Sequence, residues 1–204
     1  MEETWPATTS RAQAPSTRRL KQRNQERNIL TPEFSFFSLQ TLQYMAPYPT
    51  RLELTLKGHK GPVNDVCYNH SGQYCLSAGR DRSIRLWNPS TGLLLHTYTG
   101  HSRDALAVTA SPDNAKIASG GADRSVILWD VGSGEILRRY TAHWERVNSV
   151  GFNDQSTVLI SASFDATIRL WDLRSMNLQP IQIIEDCKDS VMSVHIRDTE
   201  IIAG

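Results

Sequence analysis

A single interval runs through most of this sequence. His59, His101 and His143 stand 42 residues apart, and Ser77, Ser119 and Ser161 keep the same spacing. So do Asp81, Asp123 and Asp165, and Trp87, Trp129 and Trp171. Four residue types hold one register through three repeats without an insertion, which chance does not produce. A chain with such a period builds each repeat as one supersecondary unit that cannot bury its apolar face alone, so successive units must stack.

Between the markers the chain reads as short strands. Val63-Asn-Asp-Val66-Cys-Tyr68 is followed by Tyr74-Cys-Leu76-Ser-Ala, by Ile84-Arg-Leu86-Trp87 and by Leu93-Leu-Leu95-His-Thr-Tyr98. Turn signals separate them: Ser71-Gly72, Arg80-Asp81, Pro89 to Gly92 and Gly100-His101. The second repeat offers Ile117-Ala-Ser119, Val126-Ile-Leu-Trp129 and Ile136-Leu-Arg-Arg-Tyr140. The third offers Val147-Asn-Ser-Val150-Gly-Phe152, Val158-Leu-Ile160, Ile168-Arg-Leu-Trp171 and Pro180 to Ile184. No gap has room for the helix of a parallel crossover. Four strands in about 40–45 residues, marked by Gly-His and Trp-Asp, form the WD pattern. The expected fold class is all-β, a WD-type β-propeller with one four-stranded sheet per blade. Blades are expected at 63–98, 105–141 and 147–184, with a truncated fourth at 191–204.

The departures also carry information. Asn88-Pro89 replaces the usual Asp after the first tryptophan, and Ala142-His143 opens the third repeat in place of Gly-His. Glu185-Asp186 stands where a fourth Gly-His is due, and the register slips before Val191. The last residues, Ile201-Ile-Ala-Gly204, fall inside an expected second strand. About three and a half blades do not close a ring of four to eight, so the expectation is a fragment or a truncated gene product.

Asp, His and Ser together are the residue types of a catalytic triad. Three equal copies at one spacing, with no GxSxG elbow, point instead to structure. In the WD family these residues form a chain from Trp indole to Ser, Ser to His and His to Asp, which gives each buried polar group a partner. The expected sets are Trp87–Ser77–His59–Asp81, Trp129–Ser119–His101–Asp123 and Trp171–Ser161–His143–Asp165. No enzymatic activity and no cofactor are expected. The three network histidines are committed, and His70, His96 and His195 lack partners at ligand spacing, so no metal is expected. Cys67, Cys75 and Cys187 make neither a disulfide framework nor a zinc site. The net charge of +1 gives no overall field toward nucleic acid or membrane, and no basic stripe carries interleaved stacking aromatics.

Residues 1–50 show no period of 2 or 3.6 and contain Pro6, Pro15, Pro32, Pro47 and Pro49. The hydrophobic fraction of the whole chain, 39%, is low for a packed domain, and a disordered or non-native extension accounts for both. Arg18, Arg19, Lys21, Arg23 and Arg27 form a candidate nuclear-localisation patch. Glu2, Glu3 and Glu26 argue against a transit peptide, and no apolar core of a secretory signal is present. Cytoplasm and nucleus are the expected compartments. Pattern and composition both change at Met45, which makes Met45 the expected translation start and residues 1–44 an extension.

Residues 51–204 resemble the first half of the mitogen-activated protein kinase organiser family of WD-repeat proteins. Tyr74-Cys-Leu-Ser-Ala-Gly-Arg-Asp81, Leu86-Trp-Asn-Pro89, Gly120-Gly-Ala-Asp-Arg124 with Val126-Ile-Leu-Trp-Asp130, and Glu200-Ile-Ile-Ala carry the likeness. The resemblance implies a seven-bladed scaffold that gathers protein partners, components of one kinase cascade and of the spliceosome. A different pathway is opened by Trp171-Asp172-Leu173-Arg174, which fits the WDxR pattern of substrate receptors in cullin-RING ubiquitin ligases.

The loops that enter each blade and the turns before each third strand share one face, because the polar chain joins them. There Arg80, Arg82, Arg124, Trp144, Arg146 and Phe164 lie off the framework positions. Lys60 and Arg103 stand nearby. On a structural reading Trp144 and Phe164 partly cover one another at the rim. Aromatic and Arg side chains are also the types that dominate binding interfaces, here in a basic rim suited to an acidic or phosphorylated segment. These six residues are the expected partner-binding patch.

Overall fold

A computed structural model of the chain describes residues 52–197 and 200–204; these belong to one compact unit, Arg51–Gly204. The proposed extension, its basic cluster and the Met45 start lie outside the described residues. Three four-stranded antiparallel sheets follow one another along the chain. The first contains β1 (Val63–Tyr68), β2 (Cys75–Gly79), β3 (Ser83–Asn88) and β4 (Leu93–Thr99). The second contains β5 (Ala105–Ala110), β6 (Lys116–Gly121), β7 (Val126–Asp130) and β8 (Ile136–Tyr140). The third contains β9 (Val147–Phe152), β10 (Val158–Ser163), β11 (Ile168–Asp172) and β12 (Gln182–Ile184). A hairpin of β13 (Val194–Arg197) and β14 (Glu200–Ala203) comes last. β12 is shorter than the apolar run from Pro180 indicates; proline has no N–H to give the ladder.

The sheets are copies in register as well as in order. Val66 faces Ser77, Val108 faces Ser119 and Val150 faces Ser161. The turns repeat too. Gly72, Asn114 and Ser156, one period apart, take positive φ values of 71°, 58° and 56°, so three side-chain types accept the backbone that one turn shape demands.

The core lies between sheets rather than within one. Leu76, Ile84 and Tyr98 of the first sheet pack against Val108, Ile117 and Ile127 of the second. Val126, Leu128 and Tyr140 of the second meet Val147, Val150 and Leu159 of the third. Ile160, Ala162 and Ile168 of the third meet Val191, Val194 and Ile196. Each fully buried aliphatic side chain contributes about 1.5–3 kcal/mol, so a flank acquires its stabilisation from its neighbour. Polar stitches join the innermost strands. Asn64 Nδ2 donates to Ala105 O at 2.7 Å, and the Val108 N–H donates to Asp65 Oδ2 at 2.8 Å. Asn148 Nδ2 donates to Val191 O at 2.9 Å. The first stitch spans 41 residues and its counterpart 43, so the hairpin opens two residues behind the period.

Candidate partner-binding face

Each sheet brings its four marker residues together. Trp87 Nε1 lies 2.8 Å from Ser77 Oγ, Ser77 Oγ 2.7 Å from His59 Nε2, and His59 Nδ1 2.8 Å from Asp81. In the second sheet the distances are 2.9 Å for Trp129–Ser119, 2.8 Å for Ser119–His101 and 3.0 Å for His101–Asp123. In the third they are 2.9 Å for Trp171–Ser161, 2.8 Å for Ser161–His143 and 2.9 Å for His143–Asp165. The ends assign the direction. An indole only donates and an ionised carboxylate only accepts, so each serine donates to Nε2 and each histidine donates from Nδ1.

The sequence pattern missed the second half of this chain. Ser83, Ser125 and Thr167 donate their hydroxyls to the same three aspartates at 2.7, 2.7 and 2.6 Å. Their 42-residue spacing was a usable signal, obscured by the change from Ser to Thr. A guanidinium then caps each hydroxyl, from Arg85 Nε at 3.4 Å, Arg139 Nη1 at 3.4 Å and Arg169 Nε at 3.3 Å. Arg85 and Arg169 sit on the third strand, but Arg139 sits on the fourth. Ile127 occupies the third-strand position in the second sheet, directly across the ladder from Arg139. The cation has changed strands while serving the same oxygen.

The network pins the entering loop to the turn. The backbone N–H groups of Lys60, Ser102 and Trp144 donate to Asp81, Asp123 and Asp165 at 2.9, 2.8 and 3.0 Å. Those of Arg80, Ala122 and Phe164 donate to Pro62, Asp104 and Arg146 carbonyls. Burial pushes the three carboxyls up, but the donors aimed at them outweigh it. Asp81 and Asp123 are held well below the carboxylate range and Asp165 at about 2. Burial holds His143 below its ordinary value, against the pull of Asp165. The turns allow little else at their corners: a Cβ on Gly79 would fall 2.3 Å from His59 Nδ1, and one on Gly121 2.5 Å from His101 Nδ1.

All six proposed patch residues occupy this loop face and are exposed, but they are not equivalent. Arg80 Nε pairs with Asp104 at 3.2 Å. The Arg146 guanidinium lies 4.3 Å from the centre of the Phe164 ring, which stays 46% exposed, so the partner of Phe164 is Arg146 and not Trp144. Trp144 is 74% exposed. Arg82 and Arg124 hold φ values of 67° and 65°; their backbone N–H groups donate to the Gly79 and Gly121 carbonyls, and their side chains have no hydrogen bond or ion pair among the described residues. Arg174 of the WDxR motif lies on an exposed loop with Nε 3.1 Å from Asp172 Oδ1. Among the described residues no metal-ligand group forms and no helix is long and apolar enough to cross a membrane.

Stacked four-stranded sheets, each locked by a Trp–Ser–His–Asp chain, define a β-propeller architecture. The family model for the WD domain, G-beta repeat, matches residues 50–88, 92–130 and 134–172, and the chain belongs to that family. It is 61% identical over 156 residues to WD repeat domain-containing protein 83 of Xenopus tropicalis, covering 76% of this chain and 50% of that protein. An uncharacterised WD repeat-containing protein of Schizosaccharomyces pombe is 63% identical over 145 residues, covering 71% and 49%. The chain thus spans about half the length of these curated relatives. Among solved structures, that of U3-55K superposes with a TM-score of 0.68 at 23% identity over 72% of this chain and 47% of the other, a likeness of fold.

Proposed function

We propose that this chain is a non-catalytic scaffold that docks protein partners on its loop face, as an organiser of a mitogen-activated protein kinase cascade linked also to pre-mRNA splicing. One observation carries the non-catalytic reading: the Ser, His and Asp of all three repeated sets are bonded to one another within a network. A serine that accepts from an indole and donates to a buried imidazole has no approach for a substrate carbonyl. Around these closed networks stand exposed Arg and aromatic side chains, the types that dominate interfaces. The cascade and splicing assignments rest on the resemblance of residues 51–204 to the mitogen-activated protein kinase organiser family, and a cytoplasmic and nuclear distribution is proposed with them.

The test is a pull-down comparing Trp144→Ala and Arg124→Glu with Glu135→Lys in the β7–β8 turn at the opposite end of the sheet. Arg138 is unsuited as a control, because it donates to Asp172 O in the next sheet at 3.3 Å. Loss of kinase or spliceosomal partners from the two face variants alone is expected. Retention of every partner by folded face variants overturns the reading. The exposed guanidinium of Arg174 sustains the second reading, a substrate receptor of a cullin-RING ligase. That reading requires adaptor binding that is lost on Arg174→Ala and unaffected by Trp144→Ala.

A further inference from the structure

The loop face is electrically divided. Over the first two sheets the carboxylates of Asp81 and Asp123 are consumed by their networks, and Asp104 is neutralised by Arg80. Lys60, Arg82, Arg103 and Arg124 remain there, exposed and without an ion pair among the described residues. Arg82 and Arg124 occupy equivalent corners of successive turns in the left-handed region, as Ala166 does in the third sheet. Next along the face stands Trp144, with its backbone fixed by Asp165 and its ring open to solvent. Beyond it the sign reverses. The segment between β12 and β13 carries Glu185, Asp186 and Asp189 against Lys188. It is anchored beside Phe164 by the bond from the Val191 N–H to Ser163 O at 3.0 Å.

We infer that the face accepts an extended protein segment of mixed charge in one register. Its anionic stretch lies over Arg82 and Arg124, a bulky apolar side chain packs on Trp144, and a basic stretch crosses residues 185–189. This rests on the loop face being the partner surface. Guanidinium groups match carboxylate or phosphate in two-point contacts. With screening over about 8 Å at physiological salt, the two ends of such a segment are sensed separately, and complementarity sets register.

The test uses the whole chain carrying Trp5→Phe. Trp144 then supplies the exposed indole fluorescence, since Trp87, Trp129 and Trp171 are buried. Three synthetic peptides of equal length share a central Leu-Phe: one with glutamates on one side and lysines on the other, one with glutamates on both sides, one with lysines on both. The mixed peptide is expected to bind most tightly, with a blue shift of Trp144 emission. Arg82→Glu with Arg124→Glu weakens the mixed and all-glutamate peptides about tenfold, equivalent to about 1.4 kcal/mol. Asp186→Lys with Asp189→Lys weakens the mixed peptide and strengthens the all-glutamate one. Phosphoserine in place of glutamate tells the two anion sources apart. The peptide series varies charge without touching the protein, so its order of affinity holds even if a variant fails to fold. If the all-glutamate peptide binds as tightly as the mixed one, or reversal at 186 and 189 leaves the mixed peptide unaffected, the register is wrong while the face reading stands. If no peptide perturbs Trp144, both fail.

Discussion

The first and second sheets carry the same polar chain and differ in what lies against them. Their hydrogen bonds match within a few tenths of an ångström. Yet Val66 of β1 is 62% exposed, whereas Val108, one period later, is 4% exposed between two sheets. The polar network is therefore a local property of a repeat, complete once its own entering loop and the strands and turn of its own sheet are in place. Apolar stabilisation belongs to pairs of repeats. The period predicts the first property and the stacking of repeats, but not which side chains each interface buries.

The largest expected effect separates the two. Ile117→Ala removes a fully buried side chain from the interface of the first two sheets without touching the polar chain and should cost about 2–5 kcal/mol in urea denaturation. Val66→Ala should fall within about 0.5 kcal/mol of wild type. Equal costs would mean that the sheets are stabilised individually. Asp123→Ala comes next. It leaves the His101 Nδ1–H, the Ser125 hydroxyl and the Ser102 N–H without their acceptor, an expected loss of about 1–3 kcal/mol. A wild-type melting temperature in that variant would dismiss the buried network as a contributor.

A smaller effect tests the strand change of the cation. Arg139→Ala should lower stability by about 1 kcal/mol through its bonds to Ser125 and the Gly100 carbonyl. Arg169→Ala in the third sheet should cost about as much, since Arg169 caps Thr167 from the other strand. A loss confined to one of the two variants would show that the strands do not serve the hydroxyl alike.

The smallest effect is pH dependence. Asp165 is ordinarily near 3.8 and is held at about 2 in the fold. Its contribution is complete above about pH 4 and is lost as pH falls through 2. His143, lowered by burial, contributes fully above its ordinary 6.5, and that part declines as pH drops below it. Melting temperature should thus begin to fall in mild acid, and His143→Gln should flatten the part of the decline that begins below about pH 6.5. An unchanged slope in that variant would remove His143 as its source.

The strands, the blade order and the four marker residues were legible because one interval repeats without an insertion. The hydroxyls of Ser83, Ser125 and Thr167 kept that interval but changed residue type, so they passed unnoticed. Arg139 could not be found by period at all, because its counterpart in the other sheets lies across the ladder, and strand pairing is invisible to spacing. The stitches from Asn64, Asp65 and Asn148 join different repeats and become visible only when neighbouring strands are in place. The rim shows the same limit. Spacing put Trp144 and Phe164 on one face but not which of them is covered, and the Arg146 guanidinium decides that by lying over Phe164.

Two adjacent residues test the division between framework and surface most directly. Asp123 closes a buried network, and Arg124 projects from the same turn. Melting temperature and partner pull-down should be measured together for Asp123→Ala and Arg124→Glu. The expected result is a lowered melting temperature for Asp123→Ala, with wild-type melting and lost partner binding for Arg124→Glu. A folded Arg124→Glu that keeps every partner, or an Asp123→Ala that melts like wild type, would contradict the account.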